Sequence, residues 1–232
     1  MSNVKKFASE HLVVYKKSDE SIKSIEKGLN LGLSDNLLAP LKSGDLVFRL
    51  LEKGISSTFV TKDEFQIDYF NLRLEALKKG DIDSFLVNIP CVNTLQINNK
   101  QLRKVIYKRD EYVSRFDFDK ILKNLDKLNI VKGISLFDNS LDISEYNKIY
   151  LSNEIEKECK NPCLRNLCFQ NFSKRFKIGT IFYLSKTKKD PGHLNSDYSL
   201  NGLFISRNLT RKAKNYEKFW KPVVYLKKEV KF

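Results

Sequence analysis

The sequence predicts an α+β protein built on a strongly bent antiparallel β-sheet that is flanked by a few helices. In residues 64–77, apolar and polar side chains alternate, and the alternation slips by one residue near Phe70, as a β-bulge would produce. In residues 117–129, apolar side chains recur at helical spacing behind an opening aspartate. No internal repeat or linker interrupts the chain, so we expect a single domain over residues 1–232.

The other elements follow from local patterns taken in chain order. Alternating apolar positions predict strands over residues 11–17, 45–52, 57–61, 130–137, 146–151, 176–184, 203–207 and 223–232, with an extended segment over 85–97. Caps, stop signals and helical spacing predict helices over residues 18–28, 153–159 and 210–220. One alternative stays open, because residues 72–79 also fit a helix that ends at Gly80.

Positive charge is concentrated at the carboxy-terminal end of the chain, whose formal net charge is +14. Residues 171–232 hold 15 Lys and Arg against 4 Asp and Glu, whereas residues 1–170 hold 27 against 24. Such one-sided charge attracts polyanions, and nucleic acid is the commonest of them. We therefore predict a nucleic-acid-binding face contributed mainly by residues 172–232. The alternative is a compositional bias towards Lys, which outnumbers Arg 33 to 9.

A long polar loop over residues 185–201 holds the candidate acid–base residues. We expect the imidazole of His193 to transfer a proton, with Asp197 orienting it or acting on the substrate. The alternative for His193 is a solvated loop side chain. Cationic groups that hold phosphates and a tyrosine that stacks on a base complete the predicted interface: Lys186, Lys188, Lys189, Tyr198, Arg207, Arg211, Lys212 and Lys214.

The cysteines do not form a strong metal motif. Cys159, Cys163 and Cys168 are close in sequence, but paired C-x2-C spacing is missing and a fourth ligand would be the distant Cys91 or His193. We predict buried thiols, no metal and no small-molecule cofactor. The chain has no apolar run of about 18–20 residues and no signal peptide at its start, so we expect a cytoplasmic protein without a membrane partner.

Four side chains give the sequence a resemblance to the restriction DNA glycosylases of the PabI type. That family has a Glu and, five residues on, a catalytic Tyr, which Glu64 and Tyr69 match, and a later His and Asp, for which His193 and Asp197 are candidates. The resemblance implies a metal-independent homodimer that flips adenine out of duplex DNA, hydrolyses its N-glycosidic bond and leaves an abasic site that breaks. The alternative for Tyr69 is a core ring.

We accordingly expect a restriction-type enzyme that binds double-stranded DNA at a specific site and excises a base. Two alternatives stay open. One is a non-catalytic nucleic-acid-binding module of a restriction or RNA-associated complex. The other is a Mg²⁺-dependent endonuclease that uses Glu229 and Lys231. Because no G-x-x-x-x-G-K-[ST] or G-x-G-x-x-G loop is present, the sequence argues against nucleotide hydrolysis and dinucleotide chemistry.

Overall fold

The structure, a computed structural model, describes residues 20–86, 112–113, 115–161, 164–186, 202–217 and 220–230. Its helices are α1 (Ile22–Leu29), α2 (Asp45–Lys53), α3 (Glu64–Lys78), α4 (Ile82–Leu86), α5 (Phe118–Lys123), α6 (Glu154–Glu158), α7 (Arg165–Lys174) and α8 (Arg207–Lys214). Its strands are β1 (Asn36–Pro40), β2 (Ser56–Thr61), β3 (Leu128–Lys132), β4 (Lys148–Ser152), β5 (Ile181–Lys186), β6 (Leu203–Ile205) and β7 (Lys221–Lys227). Within this described part, no helix is long and apolar enough to cross a membrane.

The strands of the described residues form one seven-stranded sheet in the order β3-β2-β1-β4-β5-β7-β6. Strands β2 and β3, β1 and β4, and β4 and β5 pair in parallel. β7 runs antiparallel to both of its neighbours, β5 and β6. The predicted antiparallel, strongly bent sheet is therefore wrong, and the fold is a mostly parallel sheet flanked by helices.

Two predicted strands are helices, and the spacing of their buried residues explains why. In α3 the buried positions include Ile67, Phe70 and Leu77, which share one helical face, whereas the alternation that predicts a strand loses its phase near Phe70. Asp63 caps this helix, because its carboxylate accepts a hydrogen bond from the backbone N–H of Gln66 at 3.2 Å. The predicted strand over residues 45–52 is likewise helix α2, which ends at Gly54.

Several other predicted elements are confirmed with shifted ends. Strands lie within or beside the segments predicted at 57–61, 130–137, 146–151, 176–184, 203–207 and 223–232. Helices lie near the segments predicted at 18–28, 153–159 and 210–220. The helix predicted over residues 117–129 is shorter, because α5 ends at Lys123 and β3 already begins at Leu128. Local pattern thus identified many elements but not the way in which the strands pair.

The chain divides into two compact units, each with its own aromatic contacts. Unit 1 comprises Met1–Ile22 and Leu41–Ile134, and in it Phe48 packs against Phe70 and Phe85 with ring centroids 5.2 and 4.7 Å away. Unit 2 comprises Lys23–Pro40 and Ser135–Phe232. In unit 2, Phe169 packs edge-on against Phe182 and Tyr225, at centroid distances of 5.7 and 5.1 Å. The prediction of a single domain stays a prediction.

Candidate functional site

The strand order identifies the edge of the sheet at which a ligand site is expected. The chain passes from β1 outwards through β2 to β3, and then crosses to β4 on the opposite side of β1. In open α/β sheets, ligands bind outside the carboxyl ends of the strands where the order reverses in this way. Here the reversal lies between β1 and β4, whose carboxyl ends are Pro40 and Ser152.

The turn that follows β1 requires a glycine at its last position. Gly44 has φ of 82° and directly precedes α2, so its backbone is in the left-handed region that side chains disfavour. A Cβ atom on Gly44 would also lie 2.7 Å from Cδ2 of Phe70. The backbone N–H groups of Ser43 and Gly44 form no hydrogen bond with any described residue. The turn therefore presents two backbone donors next to the amino end of a helix.

A fully buried arginine fixes this turn from α3. The guanidinium of Arg73 donates to the carbonyl oxygen of Ser43 through Nη1 and to that of Phe85 through Nε, the latter at 2.8 Å. Its Nη2 lies 3.0 Å from Oδ1 of Asp45, which is itself completely buried. The guanidinium carbon also lies 5.0 Å from the ring centroid of Phe48. Arg73 thus bonds the carbonyl oxygen that precedes Gly44 while its charge neutralises the Asp45 carboxylate that follows it.

Two further contacts hold the residue before Ser43. Gln66 donates from Nε2 to the carbonyl oxygen of Lys42 at 2.6 Å. The ammonium of Lys42 lies 3.3 Å from Oε1 of Glu20, in an ion pair that is nine-tenths or more buried on both sides. The ammonium of Lys42 is therefore paired with the buried carboxylate of Glu20.

Just beyond the end of β2 lies a carboxylate with one oxygen that forms no hydrogen bond with the described residues. Asp63 follows Gly44 by nineteen residues and is half-buried just beyond β2. Its backbone N–H donates to Oγ1 of Thr61 at 3.1 Å, and its Oδ1 accepts from Gln66. Oδ2 forms no hydrogen bond with the described residues. In nucleotide-binding folds, an acid about 20 residues after the glycine turn accepts hydrogen bonds from a ribose.

The carboxyl end of β4, in unit 2, has an unusual backbone. Ser152 is a non-glycine residue with φ of 50°, and the pairing with β5 shifts its register between Tyr150 and Ser152. The Ser152 hydroxyl lies 3.4 Å from that of Ser185 on β5 and 3.3 Å from Oδ1 of Asn153. Non-glycine residues in the left-handed region cluster at functional sites.

The structure separates the two predicted catalytic residues that it describes. Glu64 is exposed in the first turn of α3, whereas the ring of Tyr69 on the same helix is 0% exposed. Five residues along a helix correspond to about 140° of rotation, so the two side chains point in different directions. The other predicted loop residues lie outside the described part of the chain: Lys188, Lys189, His193, Asp197 and Tyr198. Lys186 is the last residue of β5, and its side chain is not described.

The predicted cations on the carboxy-terminal helix do lie together. Arg207, Arg211, Lys212 and Lys214 are all exposed on α8. They form no ion pair with any described residue.

The described residues include two of the cysteines that were considered as metal ligands. Cys159 and Cys168 are free thiols, while Cys91 and Cys163 lie outside the described ranges. Burial, together with the nearby Cys159 and Glu158, raises the pKa of the Cys168 thiol, which disfavours the thiolate that binds metals. Searched over the described residues alone, the chain has no group of three or more His, Cys, Asp or Glu that could hold a metal ion.

Comparison with known proteins concerns the fold. No family model and no curated protein sequence matches the chain. Among solved structures it is similar to the [4+2]-cyclase SpnF, with 7% identity over 89% of this chain and 79% of that chain and a TM-score of 0.48. It is also similar to a TehB-like SAM-dependent methyltransferase from Corynebacterium glutamicum, with 9% identity, 96% and 93% coverage and a TM-score of 0.45.

A third similar structure is the glycopeptide N-methyltransferase MtfA in complex with S-adenosyl-L-homocysteine. Identity is 15% over 73% of this chain and 49% of that chain, with a TM-score of 0.41. The chain thus spans about half the length of MtfA.

The fold corrects the predicted family and activity. A mostly parallel seven-stranded sheet flanked by helices is not the antiparallel half-pipe of a PabI-type glycosylase. The predictions of base excision, strand breakage, nuclease action and a restriction system are therefore wrong. The roles assigned to Glu64, Tyr69, His193 and Asp197 belonged to that reaction. The predicted homodimer and double-stranded DNA partner stay predictions.

The residues of the candidate site that sequence patterns did not single out are Gly44, Asp63 and Arg73. A usable signal is present, since a short apolar run over residues 37–39 is followed by Ser43-Gly44-Asp45 and, nineteen residues after the glycine, by Asp63. Pro40 makes that run resemble a loop, so no strand is predicted there. The dinucleotide motif also requires more glycines than this turn contains.

Proposed function

We propose that the protein binds S-adenosylmethionine at the carboxyl edge of its sheet and transfers the methyl group to an acceptor. The observation that carries this proposal is the strand order β3-β2-β1-β4-β5-β7-β6 with β7 antiparallel to both of its neighbours. This is the sheet of the Rossmann-like methyltransferase fold. The reversal point between β1 and β4 is the general ligand position of such sheets.

The turn after β1 fits a ligand with acceptor groups. The N–H groups of Ser43 and Gly44 are donors without a described partner, and Arg73 holds the turn in shape. Buried backbone donors are rarely left unpaired in proteins, so a bound ligand is the natural partner for this pair. Asp63 supplies an acceptor for the ribose hydroxyls of the adenosine moiety.

The charges of the turn favour S-adenosylmethionine over a dinucleotide. A pyrophosphate is held by a glycine-rich turn and the amino end of a helix. Here the turn has the single glycine Gly44, and the ammonium of Lys42 is already paired with Glu20. S-adenosylmethionine has no phosphate, and when bound it supplies a methyl group on a cationic sulfonium.

Asp63 provides the sharpest test of the proposed site. Serine caps helices as well as aspartate does, so Asp63→Ser keeps the cap of α3 while it removes the second carboxylate oxygen. We expect isothermal titration calorimetry to detect binding of S-adenosylmethionine by the wild-type protein. The Asp63→Ser variant should bind about tenfold more weakly, which corresponds to the loss of a charge-assisted hydrogen bond of about 1.4 kcal/mol.

Asp117 gives a matched control, because it caps α5 in the same way through the backbone N–H of Lys120. Asp117→Ser should leave binding unchanged. A folded wild-type protein that binds NAD⁺ but not S-adenosylmethionine would contradict the proposal. Equal weakening in the two variants would remove Asp63 from the site. Transfer itself is measured with methyl-tritiated S-adenosylmethionine and mixed nucleic acid, protein and small-molecule acceptors.

A further inference from the structure

Unit 2 carries exposed basic side chains on two adjoining helices. We define the basic surface by the exposed side chains of Lys23, Lys27, Arg207, Arg211, Lys212 and Lys214. The helices touch, because the Ser24 hydroxyl on α1 donates to the carbonyl oxygen of Ala213 on α8 at 2.9 Å. We propose that this surface binds the phosphate backbone of duplex DNA, whether or not the chain transfers a methyl group.

The cations of this surface are free to meet an external anion. None of the six side chains forms an ion pair with a described residue. The neighbouring acids Glu26 and Glu217 are both buried, so their carboxylates do not face outwards with the cations. Unpaired surface cations release counterions when they bind a polyanion, which is the main source of affinity for nucleic acid.

The spacing of the cations suits a regular row of phosphates. Arg207, Arg211 and Lys214 stand at positions i, i+4 and i+7 of α8, which places them on one stripe about 10 Å long. Lys23 and Lys27 form a second i, i+4 stripe on α1. Duplex DNA has one negative charge for about every 1.7 Å of its axis, a higher density than an acidic protein surface offers.

The side chains of the basic surface argue against a membrane or a single-stranded nucleic acid as its partner. The exposed positions of α8 are Arg, Lys and Asn, so this helix offers a bilayer no exposed large apolar side chain. Single strands are held by aromatic rings on which bases stack. Among the described residues near this surface, Tyr216 has the exposed ring, and the ammonium of Lys23 lies 4.6 Å from its centroid and covers one face. A duplex needs no such stacking ring.

The test compares two triple variants that each lose three positive charges. Arg207→Gln, Arg211→Gln and Lys214→Gln together alter the basic surface. Lys79→Gln, Lys123→Gln and Lys132→Gln together remove three exposed lysines of unit 1. Fluorescence anisotropy with a labelled 20-bp duplex is measured from about 50 to 200 mM KCl, where phosphate contacts dominate the salt dependence.

We expect the first triple variant to bind at least about tenfold more weakly than wild type at about 100 mM salt, and its log–log salt slope to be lower by about 2.7. The control triple variant should keep the wild-type slope. Circular dichroism establishes that both variants are folded. Equal slopes in the two variants would overturn the proposal.

Competition with unlabelled polyanions tests which class of partner the basic surface binds most strongly. Unlabelled duplex DNA should displace the probe, while single-stranded RNA, polyglutamate and anionic vesicles should do so at higher charge concentrations. Stronger displacement by any of these three overturns the assignment to duplex DNA. Binding of S-adenosylmethionine is titrated on the same proteins, so this inference and the proposed function fail separately.

Discussion

At the scale of single residues, the turn after β1 depends on one buried ion pair. Arg73 and Asp45 are both 0% exposed, and the guanidinium also bonds the carbonyl oxygens of Ser43 and Phe85. A buried pair contributes little compared with an apolar replacement of both partners, but loss of one partner leaves a buried charge uncompensated. The pair is therefore best understood as a device that fixes the conformation of the turn.

Removal of Arg73 alone should destabilise the protein strongly. Arg73→Met leaves the Asp45 carboxylate buried without its cation, so we expect the free energy of unfolding in urea to fall by about 3–5 kcal/mol. Lys157→Met, which removes the partner of Glu154 in a half-exposed pair, should cost about 0.5 kcal/mol or less. Similar losses in both variants would show that Arg73 does not neutralise Asp45 in the folded protein.

Gly44 should be sensitive for two reasons that can be measured separately. Gly44→Ala imposes the left-handed backbone cost of about 1–2 kcal/mol and adds a clash with Phe70 of about 1–3 kcal/mol. Gly133 has nearly the same φ, 79°, but nothing lies within 4 Å of the position that its Cβ atom would take. Gly133→Ala should therefore show the backbone cost alone in thermal unfolding. Equal losses would mean that the space beside Gly44 is not filled.

At the scale of elements, a lysine from β7 closes the end of α7. Lys227 donates from Nζ to the carbonyl oxygens of Ser173, Lys174 and Phe176 at 2.7, 3.3 and 2.6 Å. The last carbonyls of a helix have no partner inside the helix, and a cation there also interacts favourably with the helix dipole. This contact ties a helix to a strand within unit 2.

Loss of this contact should loosen α7 locally. We expect Lys227→Met to lower the free energy of unfolding by about 1–2 kcal/mol, because the partly buried carbonyls of Ser173 and Phe176 and the exposed carbonyl of Lys174 lose the ammonium as a donor. Hydrogen exchange should accelerate first in α7. Lys177→Met, at a nearby exposed position, serves as the control and should change neither quantity. Unchanged exchange in α7 for the Lys227 variant would refute the role of this contact.

At the scale of the whole molecule, sequence pattern located strands better than it arranged them. β4 and β5 are apolar runs that predict a strand equally well in a parallel or an antiparallel sheet. Nothing in their residues specifies that they pair in parallel. Such buried strands lack the alternation that marks one exposed face. The first residues of α3 gave a false strand signal, since Phe65, Ile67 and Tyr69 alternate over a stretch too short to separate the two periods.

The candidate site was harder to predict from the sequence than the basic helix α8. Arg211 and Lys212 are exposed on a short helix, so their character is visible in the local composition. The significance of Gly44 depends on a backbone angle and on Phe70, which lies twenty-six residues further along the chain. Arg73 reaches Asp45 across a similar separation. Contacts of this range arise from tertiary packing, which no local pattern records.

The reversed strand also has a consequence for the order in which the sheet can be assembled during synthesis. β7 lies between β5 and β6, so β6 has no strand to join until residues 221–227 have left the ribosome. Until then β5 presents an open edge to other nascent chains. The growing polypeptide must keep that edge of β5 shielded until residues 221–227 have been translated.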